Sequence, residues 1–430
     1  MDAQTIHSTR QPGAQRQGQC RLCGRGLEHN FVDLGMSPLC ESFLVADQLD
    51  QMEPYYPLRV FVCSGCLLVQ LNEYVSPEDI FSEYAYFSSY SASWISHAEE
   101  YCKQITRRLG LDRQSLVVEL ASNDGYLLQH FATLGIPTLG VEPAANVAAV
   151  AIAKDIPTRV DFFTQRLART LVAEHGYADL IVGNNVLAQV PDLNDFVSGM
   201  RYLLKPQGLI TLEFPHVERL IAENQFDTIY HEHFSYFSLV TIAWLARQHD
   251  LRLVDVEQLP THGGSLRVYL AHKESGHPTS MRVDALLMAE RQLGLHDLGG
   301  YTSFAEKVRL TKRRLLSFLI EAKNAGKTIC GYGAPGKGNT LLNYCGIGTD
   351  FLDFTVDRNP YKHGRFTPGM HIPIHPVELI EQARPDYILI LPWNLRHEII
   401  GQMRNVGDWG ARFIVPIPEV AVIDPREFPS

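Results

Sequence analysis

Two long segments of the 430-residue chain alternate apolar runs with stretches of helical periodicity. Over 116–215 the apolar runs are SLVVEL, TLGVEP, ADLIVGNNV and GLITLEFP, and the amphipathic stretches between them are YLLQHFATLG, NVAAVAIAKD and LNDFVSGMRYLL. Over 327–418 the runs KTICGYG, DFTVD, YILILPW and ARFIVPIP alternate with NTLLNYC, PVELIEQA and RHEIIGQMRNVG. Strands and helices that alternate at this spacing predict parallel sheets covered by helices, and therefore two α/β domains.

The remaining stretches complete a division of the chain into four parts. Residues 1–17 are polar and rich in Gln, Gly and Arg, which is typical of a disordered tail. Two cysteine pairs follow and define a small zinc-binding domain over 18–80. The first α/β series belongs to a central domain over 81–300, and the second belongs to a C-terminal domain over 301–430. An amphipathic helix near 304–326 is predicted in the C-terminal domain.

Composition and charge exclude several classes of protein. The net charge is −10 and no basic cluster occurs, whereas a nucleic-acid surface needs a positive footprint. No run approaches the ~20 apolar residues of a membrane span, and the polar N-terminus lacks the apolar core of a signal peptide. We therefore expect a cytoplasmic protein with no nucleic-acid or membrane partner, and a monomer or weak homodimer as its assembly.

The cysteine pairs indicate a metal site. Cys20 and Cys23 form one C-x2-C pair, and Cys63 and Cys66 form a second. Each pair can direct two thiolates at one ion, and two pairs complete a tetrahedral zinc site with no open position, so the predicted role of the zinc is structural. The alternative is two unrelated thiol pairs in a reduced chain. The other four cysteines, Cys40 among them, are interpreted as buried or inert.

A second set of candidates follows the strands of the central domain. The stretch VVELASNDGYLL passes from a strand through small residues into a helix, whose N-terminus favours anionic or polar groups. It is not a G-x-G-x-x-G turn, which disfavours a plain dinucleotide site. About 20 residues later an acidic residue ends the next strand, where it suits ribose hydroxyls. For each candidate the alternative is a turn-forming cap. The candidates are Glu119, Ser122, Asn123, Asp124, Gly125, Glu142, Pro143, Asn184 and Asn185.

The C-terminal domain contains the turn GYGAPGKG directly after an apolar strand. Gly331, Gly333 and Gly336 fit a dinucleotide fingerprint, and Asp357 ends the next strand. Lys337 also brings the turn close to a phosphate-binding loop, although a glycine replaces the Ser or Thr of that motif. We predict a site for a phosphorylated or nucleotidyl group here. The alternative is a tight glycine turn without a ligand.

The stretch THGGSLR is a further candidate for binding phosphate. Gly264 permits close approach to the backbone, and Arg267 could grip a diphosphate. The alternative is a turn at the start of a strand with a surface arginine.

The stretch YHEHFSY, over 230–236, combines two histidines with a glutamate and aromatic residues. Its spacing differs from H-E-x-x-H, so a catalytic zinc ion is not expected there. A histidine among aromatic residues loses hydration, which favours its neutral form and suits a general base. Glu232 could orient a ring or hold a substrate hydroxyl, and Tyr230 could donate a hydrogen bond to a developing oxyanion. The alternative is a structural aromatic patch.

Four blocks of the chain, taken in order, resemble the S-adenosylmethionine-dependent sugar C-methyltransferases. The blocks are CRLCG…CSGC, ELASNDGYLL…GVEPAANVA, FDTIYHEHFSYFSL with THGGSLR, and GYGAPGKGNTLLNYCG…VDRNPYKHG. Members of this family methylate nucleotide-linked 4-keto-6-deoxysugars for antibiotics. The resemblance covers nearly the whole chain after residue 18. It implies a zinc-binding module, a central class I methyltransferase domain with a Rossmann-like fold, and a C-terminal Rossmann-like domain.

The resemblance also implies a mechanism. His233 would remove the proton at sugar carbon 3, beside the carbon 4 ketone, and the resulting enolate would attack the sulfonium methyl. Tyr230, Glu232 and Tyr84 would hold the substrate and the enolate oxygen.

Ligand contacts follow from the same resemblance. S-adenosylmethionine would bind along the central strand ends, with Glu142 on the ribose hydroxyls, Asn184 near the methionine end, and Tyr126 and Asn146 as additional contacts. The residues expected to hold the keto-deoxysugar nucleotide are Gln189, His231, Gly264, Arg267, Tyr332, Lys337, Asn339, Asn343, Asp357 and Lys362.

One position departs from the family pattern. Relatives often have a histidine within N-x-L-x-H-[VI], whereas this chain reads NNVLAQV and has Gln189. Glutamine can form hydrogen bonds but cannot act as a base near neutral pH. The departure leaves the substrate open, including N- or O-methylation of another scaffold by the same fold. A reductase that binds NAD(P)H at the turn over 331–336 is a further alternative.

Overall fold

The computed structural model describes residues 18–77, 80 and 87–428. The predicted tail at 1–17 and the candidate Tyr84 lie outside the described residues. In chain order the described strands are β1 (His29–Ser37), β2 (Tyr56–Val62), β3 (Val69–Leu71), β4 (Val117–Leu120), β5 (Thr138–Val141), β6 (Thr158–Arg159), β7 (Ala178–Asn184), β8 (Leu204–Pro215), β9 (Ser235–Tyr236), β10 (Leu251–Leu259), β11 (Ser265–His272), β12 (Ile329–Tyr332), β13 (Thr355–Val356), β14 (Ile374–His375), β15 (Tyr387–Ile390), β16 (Arg412–Val415) and β17 (Ala421–Ile423). The described α-helices are α1 (Ala92–Leu109), α2 (Leu128–Thr133), α3 (Ala145–Ala153), α4 (Gln165–His175), α5 (Leu193–Leu203), α6 (Val217–Ala222), α7 (Leu239–Gln248), α8 (Met281–Gln292), α9 (Phe304–Asn324), α10 (Gly336–Cys345), α11 (Leu379–Ala383) and α12 (Arg396–Gln402).

The first sheet joins the cysteine-rich segment to a distant part of the chain. Its strand order is β1-β2-β3-β9, and each neighbouring pair is antiparallel. Strand β9 comes from the YHEHFSY stretch, where Tyr236 pairs with Val69 of β3. The next residue, Phe237, forms a bridge with His216 just beyond β8. The YHEHFSY stretch is therefore fixed between the zinc-binding segment and the central sheet.

The second sheet carries the central α/β series. Its order is β10-β11-β8-β7-β4-β5-β6, and the pairs among β8, β7, β4, β5 and β6 are parallel, while β11 runs antiparallel to both β8 and β10. Val117, Val118 and Leu120 of β4 are fully buried, as expected for a parallel strand with helices on both faces. Because the strand order reverses between β4 and β7, a crevice opens at the carboxyl ends of these strands.

The third sheet forms the core of the C-terminal part. Its order is β14-β13-β12-β15-β16-β17, with parallel pairs except for the antiparallel β17. The strand order reverses between β12 and β15, and the predicted glycine-rich turn follows β12 at this point. Sheets of this kind bind ligands at such a reversal.

The N-terminal and C-terminal sheets share one hydrophobic core. Phe31 of β1 stacks on Phe304 of α9 with ring centroids 4.6 Å apart, and both side chains are buried. The same cluster continues through Leu315 of α9 to Ile329 of β12. The cysteine-rich module therefore packs on the C-terminal domain, and the segment after β1 reaches the turn that follows β12.

The predicted fold class is confirmed: two Rossmann-like α/β sheets accompany a cysteine-rich module. The predicted amphipathic helix corresponds to α9. The domain boundaries drawn from the sequence stay predictions. In the part of the chain that the structure describes, no helix is both long and apolar enough to cross a membrane.

Candidate active site

The turn after β4, residues 121–125, has an unusual backbone and is called the β4 turn below. Ala121, Asn123 and Gly125 have φ of 54°, 49° and 78°. Left-handed residues at alternate positions bring successive N–H groups to one side, which creates a concavity for anionic or polar ligand atoms. A Cβ on Gly125 would lie 2.4 Å from Cδ1 of Ile156, so close packing also requires glycine here.

Side chains from neighbouring strand ends surround the β4 turn. Glu142, just after β5, accepts hydrogen bonds from the N–H groups of Asn123 and Ala144, each at 2.9 Å. Burial raises the pKa of Glu142. Asn184, at the end of β7, donates from Nδ2 to the hydroxyl of Tyr126 at 3.3 Å. Predicted residues from three strands thus meet at one edge of the sheet.

Several buried polar atoms at this edge have no hydrogen-bond partner among the described residues. They include Oγ of Ser122, Oδ1 of Asp124 and Oδ1 of Asn185. Buried polar atoms are normally paired, because desolvation without a partner costs roughly 1–3 kcal/mol. S-adenosylmethionine carries amino, hydroxyl and adenine groups that would supply such partners. The donors and acceptors of this edge therefore fit the cofactor.

The other predicted cofactor residues lie at the same edge. Glu119 is a buried residue of β4, next to the end of the strand. Burial raises its pKa well above the usual range, while Tyr126 acts in the opposite direction. Pro143 precedes α3 and is half-buried, and Asn146 lies exposed in the first turn of α3.

An aromatic side chain that the sequence did not indicate covers this edge. Trp94 of α1 stacks with Tyr126 and with His97, at centroid distances of 6.0 and 5.0 Å. Its ring also meets His262 in a T-shaped contact at 5.3 Å. Nδ2 of Asn185 lies 3.1 Å from Nε2 of His262. Trp94 therefore connects the cofactor edge to the THGGSLR turn.

His233 is held with one ring nitrogen available for chemistry. Its Nδ1 lies 3.2 Å from the carbonyl oxygen of Thr228, which can only accept, so Nδ1 carries the proton and Nε2 does not. The Tyr230 ring lies against the imidazole with centroids 4.1 Å apart. Burial lowers the pKa of His233 to about 4, and the charges of His262 and Lys337 act in the same direction. The imidazole is therefore neutral near pH 7.

Glu232 is buried beside a segment of the N-terminal module. The thiol of Cys40 lies 3.7 Å from Oε1 of Glu232. Burial raises the pKa of Glu232 to about 8, and the charge of Glu41 acts in the same direction. A carboxyl group with such a pKa is protonated at neutral pH and can donate a hydrogen bond. Cys40 is buried as predicted, and it also contacts a candidate catalytic group.

His231 attaches this segment to the first sheet. Its Nε2 lies 3.3 Å from the carbonyl oxygen of Pro57, and its ring meets that of Tyr56 at 5.8 Å. Burial lowers its pKa. These contacts give His231 a structural role and do not favour the substrate contact expected from the sequence.

The turn after β12, residues 333–336, is called the β12 turn below. Gly333 has φ of 87°, and a Cβ on it would lie 2.6 Å from Cδ of Pro392. Asp357 accepts hydrogen bonds from the N–H of Ala334 at 2.7 Å and from the N–H of Asn359 at 2.8 Å. The residue at the ribose position of the dinucleotide fingerprint thus holds its own loop together. Glu142 at the β4 turn is held in the same way, by two backbone N–H groups.

Lys337, directly after the β12 turn, faces the region of His233. Its Nζ donates to Oδ1 of Asn394 at 3.0 Å and lies 4.9 Å from the centre of the Trp393 ring. Nε1 of Trp393 donates to Oδ2 of Asp227 at 2.6 Å. Burial raises the pKa of Asp227 to about 6, while Lys337 lowers it. Asp227 directly precedes Thr228, whose carbonyl oxygen lies 3.2 Å from Nδ1 of His233. This cluster therefore connects the C-terminal domain to the candidate base.

Arg267 is not free to hold a diphosphate. It is only 4% exposed, and Nη2 lies 2.7 Å from Oε2 of Glu213, while Nη1 lies 3.4 Å from Glu257. A guanidinium already paired with two carboxylates supports the sheet, so it is neither the predicted ligand contact nor a surface arginine. Gly264 has φ of 120°, and a Cβ on it would lie 2.8 Å from Cγ of Arg219.

Two other predicted substrate residues donate hydrogen bonds to backbone carbonyl groups, one across domains and one within the C-terminal domain. Asn339 donates from Nδ2 to the carbonyl oxygen of Cys40 at 2.6 Å. Asn343 donates to the carbonyl oxygens of Asn339 and Pro368, at 2.8 and 3.0 Å. Both residues hold backbone segments around α10.

The last three predicted substrate residues belong to three different elements or loops. Lys362 forms an ion pair with Glu41 at 3.5 Å. Tyr332 ends β12 and is buried, and Gln189 is half-buried in the short helix after β7.

The four predicted zinc ligands form one cluster. The Sγ atoms of Cys20, Cys23, Cys63 and Cys66 all lie within 4.8 Å of one another. Four sulfurs bound to one zinc ion at about 2.3 Å would lie roughly 3.8 Å apart, so the cluster fits a tetrahedral site. Nε2 of Gln70 donates to Sγ of Cys20 at 3.1 Å, which orients one ligand from outside the cluster.

Several residues that surround the candidate site had no usable signal in the sequence. Some are isolated, and others, such as Asp227 and His262, lie inside a quoted stretch without any feature that indicates a role. They are Glu41, Trp94, His97, Glu213, Asp227, His262, Trp393 and Asn394.

The central sheet, its ligand-binding edge and the four-cysteine cluster define a class: an S-adenosylmethionine-dependent methyltransferase with a structural zinc site. Three family models match the chain. They are described as a zinc binding domain over 20–81, a methyltransferase domain over 94–256 and a C-methyltransferase C-terminal domain over 260–418. The C-methyltransferase NovU of Streptomyces niveus is 38% identical over 408 residues, which cover 94% of this chain and 96% of that protein. The chain therefore belongs to the C-methyltransferase family.

Solved structures align with about two-fifths of the chain. A S-adenosylmethionine-dependent methyltransferase from Clostridium acetobutylicum is 9% identical, with a TM-score of 0.33, over 41% of this chain and 92% of that one. A protein from Pyrococcus horikoshii is 16% identical, with a TM-score of 0.36, over 46% of this chain and 98% of that one. At these scores the family assignment rests on the sequence comparisons.

Proposed function

We propose that this enzyme removes the proton at carbon 3 of a nucleotide-linked 4-keto-deoxysugar and directs a methyl group to that carbon. The observation that carries the proposal is His233, a buried and neutral imidazole with its proton on Nδ1 and with Nε2 unprotonated. A carbon beside a ketone must lose a proton before it attacks an electrophile, and an unprotonated imidazole nitrogen can accept that proton.

Stabilisation of the enolate is the second requirement. A carbon acid next to a ketone can be deprotonated by an imidazole only if the negative charge on oxygen is stabilised in place. Glu232, which burial keeps protonated at neutral pH, supports a role as hydrogen-bond donor to that oxygen. Tyr230, whose ring lies against that of His233, is the second candidate donor. Tyr84, which the resemblance adds, lies outside the described residues.

The cofactor edge supplies the other half of the reaction. S-adenosylmethionine, when bound, supplies an electrophilic methyl group on a positively charged sulfur. Glu142 would hold its ribose hydroxyls, and Asp124 and Ser122 have unpartnered atoms for its polar groups. The protein's own contribution is to hold the deprotonated carbon near this edge and to exclude water.

Isotope exchange tests the proposal most directly. We would incubate the enzyme in heavy water with a panel of thymidine-diphospho-4-keto-6-deoxysugars, and then add S-adenosylmethionine. We expect enzyme-dependent deuterium at carbon 3, followed by a methyl group bound to that carbon, seen by mass spectrometry and NMR. Exchange without the cofactor isolates the function of the base from methyl transfer.

Variants identify the base. His233→Asn should abolish exchange and leave cofactor binding intact, because the β4 turn is unchanged. His249→Asn is the matched control, since this half-buried histidine bonds to Ser198 and Asn194 outside the cleft. Full exchange in His233→Asn would refute the assignment of the base. A product methylated on oxygen or nitrogen, with no deuterium exchange at carbon 3, would refute the proposed C-methylation. Gln189 would then be the first residue to examine.

A further inference from the structure

An acidic side chain of the N-terminal module lies at the N-terminus of α10. A Cβ on Gly336 would lie 2.9 Å from Oε1 of Glu41 and 2.9 Å from Sγ of Cys40. Oε2 of Glu41 lies 3.5 Å from Nζ of Lys362, which also donates to the carbonyl oxygen of Ala334 at 2.8 Å. The carboxylate thus lies between a lysine and the first turn of a helix of ten residues.

The groups around the Glu41 carboxylate are typical of an anion-binding site. The N–H groups that begin a helix carry positive partial charge, and a nearby lysine adds a full charge, so phosphates and carboxylates bind there. Burial raises the pKa of Glu41, while Lys362 and the backbone N–H of Gly336 act in the opposite direction, as expected for donors that face a carboxylate. The β12 turn therefore has an anionic occupant from another domain of the same chain.

The segment that carries Glu41 is fixed on both sides. The carbonyl oxygen of Cys40 accepts a hydrogen bond from Asn339, and Leu44 exchanges two backbone hydrogen bonds with Phe366. The carboxylate itself is less enclosed, because 36% of the Glu41 side chain is exposed. An incoming anion can therefore reach the site without unfolding this segment.

We infer that the diphosphate of the nucleotide-linked substrate binds at the β12 turn by displacing Glu41 from Lys362 and from the N-terminus of α10. This inference rests on the proposed function only in that the substrate carries a diphosphate. The diphosphate and the Glu41 carboxylate would compete for the same lysine and N–H groups, since like charges repel. Glu41 is thus a built-in competitor, and its neighbour Cys40 connects the site to Glu232 through the contact at 3.7 Å.

Calorimetric titration with inorganic pyrophosphate and with thymidine diphosphate tests this competition without turnover. If Glu41 occupies the site for about nine-tenths of the time, its removal tightens the apparent Kd about tenfold. We expect this gain in Glu41→Ala and in Glu41→Gln, which keeps the shape and removes the charge. Lys362→Met should weaken binding. Glu53→Gln is the control, because Glu53 lies in the same module but bonds to His371 and to the N–H of Gly369.

The outcomes separate this inference from the proposed function. Unchanged or weaker diphosphate binding in folded Glu41→Gln would overturn it, and Glu41 would then be a permanent clamp between domains. Equal gains in Glu53→Gln would also overturn it, because they would reflect net charge alone. A third outcome is that the Glu41 variants bind diphosphate more tightly but the enzyme methylates no keto sugar. That result would refute the proposed function and support the anion site.

Discussion

The β4 turn and the β12 turn occupy the same place in two sheets of the same kind. Each follows a buried parallel strand at the point where the strand order reverses, and each leads into a helix. By sequence the β12 turn is the better match to a dinucleotide fingerprint, because it has the three glycines and the acidic residue after the next strand.

Their polar groups are used in opposite ways. At the β4 turn, Ser122 and Asp124 each keep a buried oxygen without a partner in the described part of the chain. At the β12 turn, Glu41 lies where an anion would bind. The carboxylates after the next strands do not distinguish the turns, because Glu142 and Asp357 each accept two backbone N–H groups. Unpartnered buried groups indicate a site prepared for a ligand, whereas paired groups indicate a structural element or a site with an internal occupant.

The largest expected difference between the turns concerns the cofactor. We expect Glu142→Ala to weaken binding of S-adenosylhomocysteine about 100-fold, because hydrogen bonds to a carboxylate contribute about 1.5–3 kcal/mol each. Asp357→Ala, the matching change at the β12 turn, should leave this Kd unchanged. Isothermal titration measures both values. A comparable loss in Asp357→Ala would mean that the β12 turn also contributes to the cofactor site.

The next largest difference concerns stability. Asp357→Ala leaves the buried N–H of Ala334 without its acceptor, so we expect a loss of about 1–3 kcal/mol in the free energy of unfolding. Asp353→Ala, a change at a half-exposed residue on the same sheet, should alter it by less than about 0.5 kcal/mol. Urea unfolding followed by tryptophan fluorescence compares the two. Equal midpoints would show that Asp357 does not hold the loop.

A smaller effect distinguishes how the turns are packed. A Cβ on Gly336 would lie 2.9 Å from atoms of Cys40 and Glu41, so Gly336→Ala should push the segment over 38–45 away at a cost of about 1–2 kcal/mol. We expect faster amide hydrogen exchange in that segment. Gly401→Ala, where no atom lies within 4 Å of the added Cβ, is the control. Unchanged exchange would contradict the packing of the module on the β12 turn.

The smallest expected effect is that of pH on the base between the two turns. With a pKa of about 4, His233 stays neutral from pH 8 to pH 6, so its own titration should lower the deuterium exchange rate per bound substrate less than twofold. Protonation of Glu232, with a pKa of about 8, should raise the rate up to about twofold as the pH falls. An ordinary histidine with a pKa of about 6.5 would lose roughly three-quarters of its neutral form over this range. A fourfold fall in rate at pH 6 would therefore refute the lowered pKa.

The same shift affects stability with a definite sign. Between about pH 6.5 and pH 4 the unfolded chain binds a proton at this histidine, while the folded chain does not. The contribution of His233 to the free energy of unfolding should therefore fall as the pH falls through this window. His233→Asn should reduce that dependence, and an unchanged dependence would contradict the assignment.

The secondary-structure elements and the local chemistry could be predicted from the amino-acid pattern alone. Periodicity predicted both α/β series and α9, and the spacing of Cys20, Cys23, Cys63 and Cys66 predicted their cluster, because these signals depend on residues close along the chain. The turn chemistry of residues 121–125 and the carboxylate of Glu142 were readable for the same reason, since a strand end and the turn after it are one local unit.

The contacts between distant segments could not be predicted in this way and became visible only in the folded chain. It paired Arg267 with Glu213 and Glu257, used His231 to hold β2, brought Trp94 over the cofactor edge and placed Glu41 on the β12 turn. Each of these contacts joins side chains from different elements, and a polar side chain has no fixed role until its partners are known. An arginine predicted to bind phosphate and an arginine in a buried ion pair look the same in sequence, because burial and the neighbouring charges decide between them.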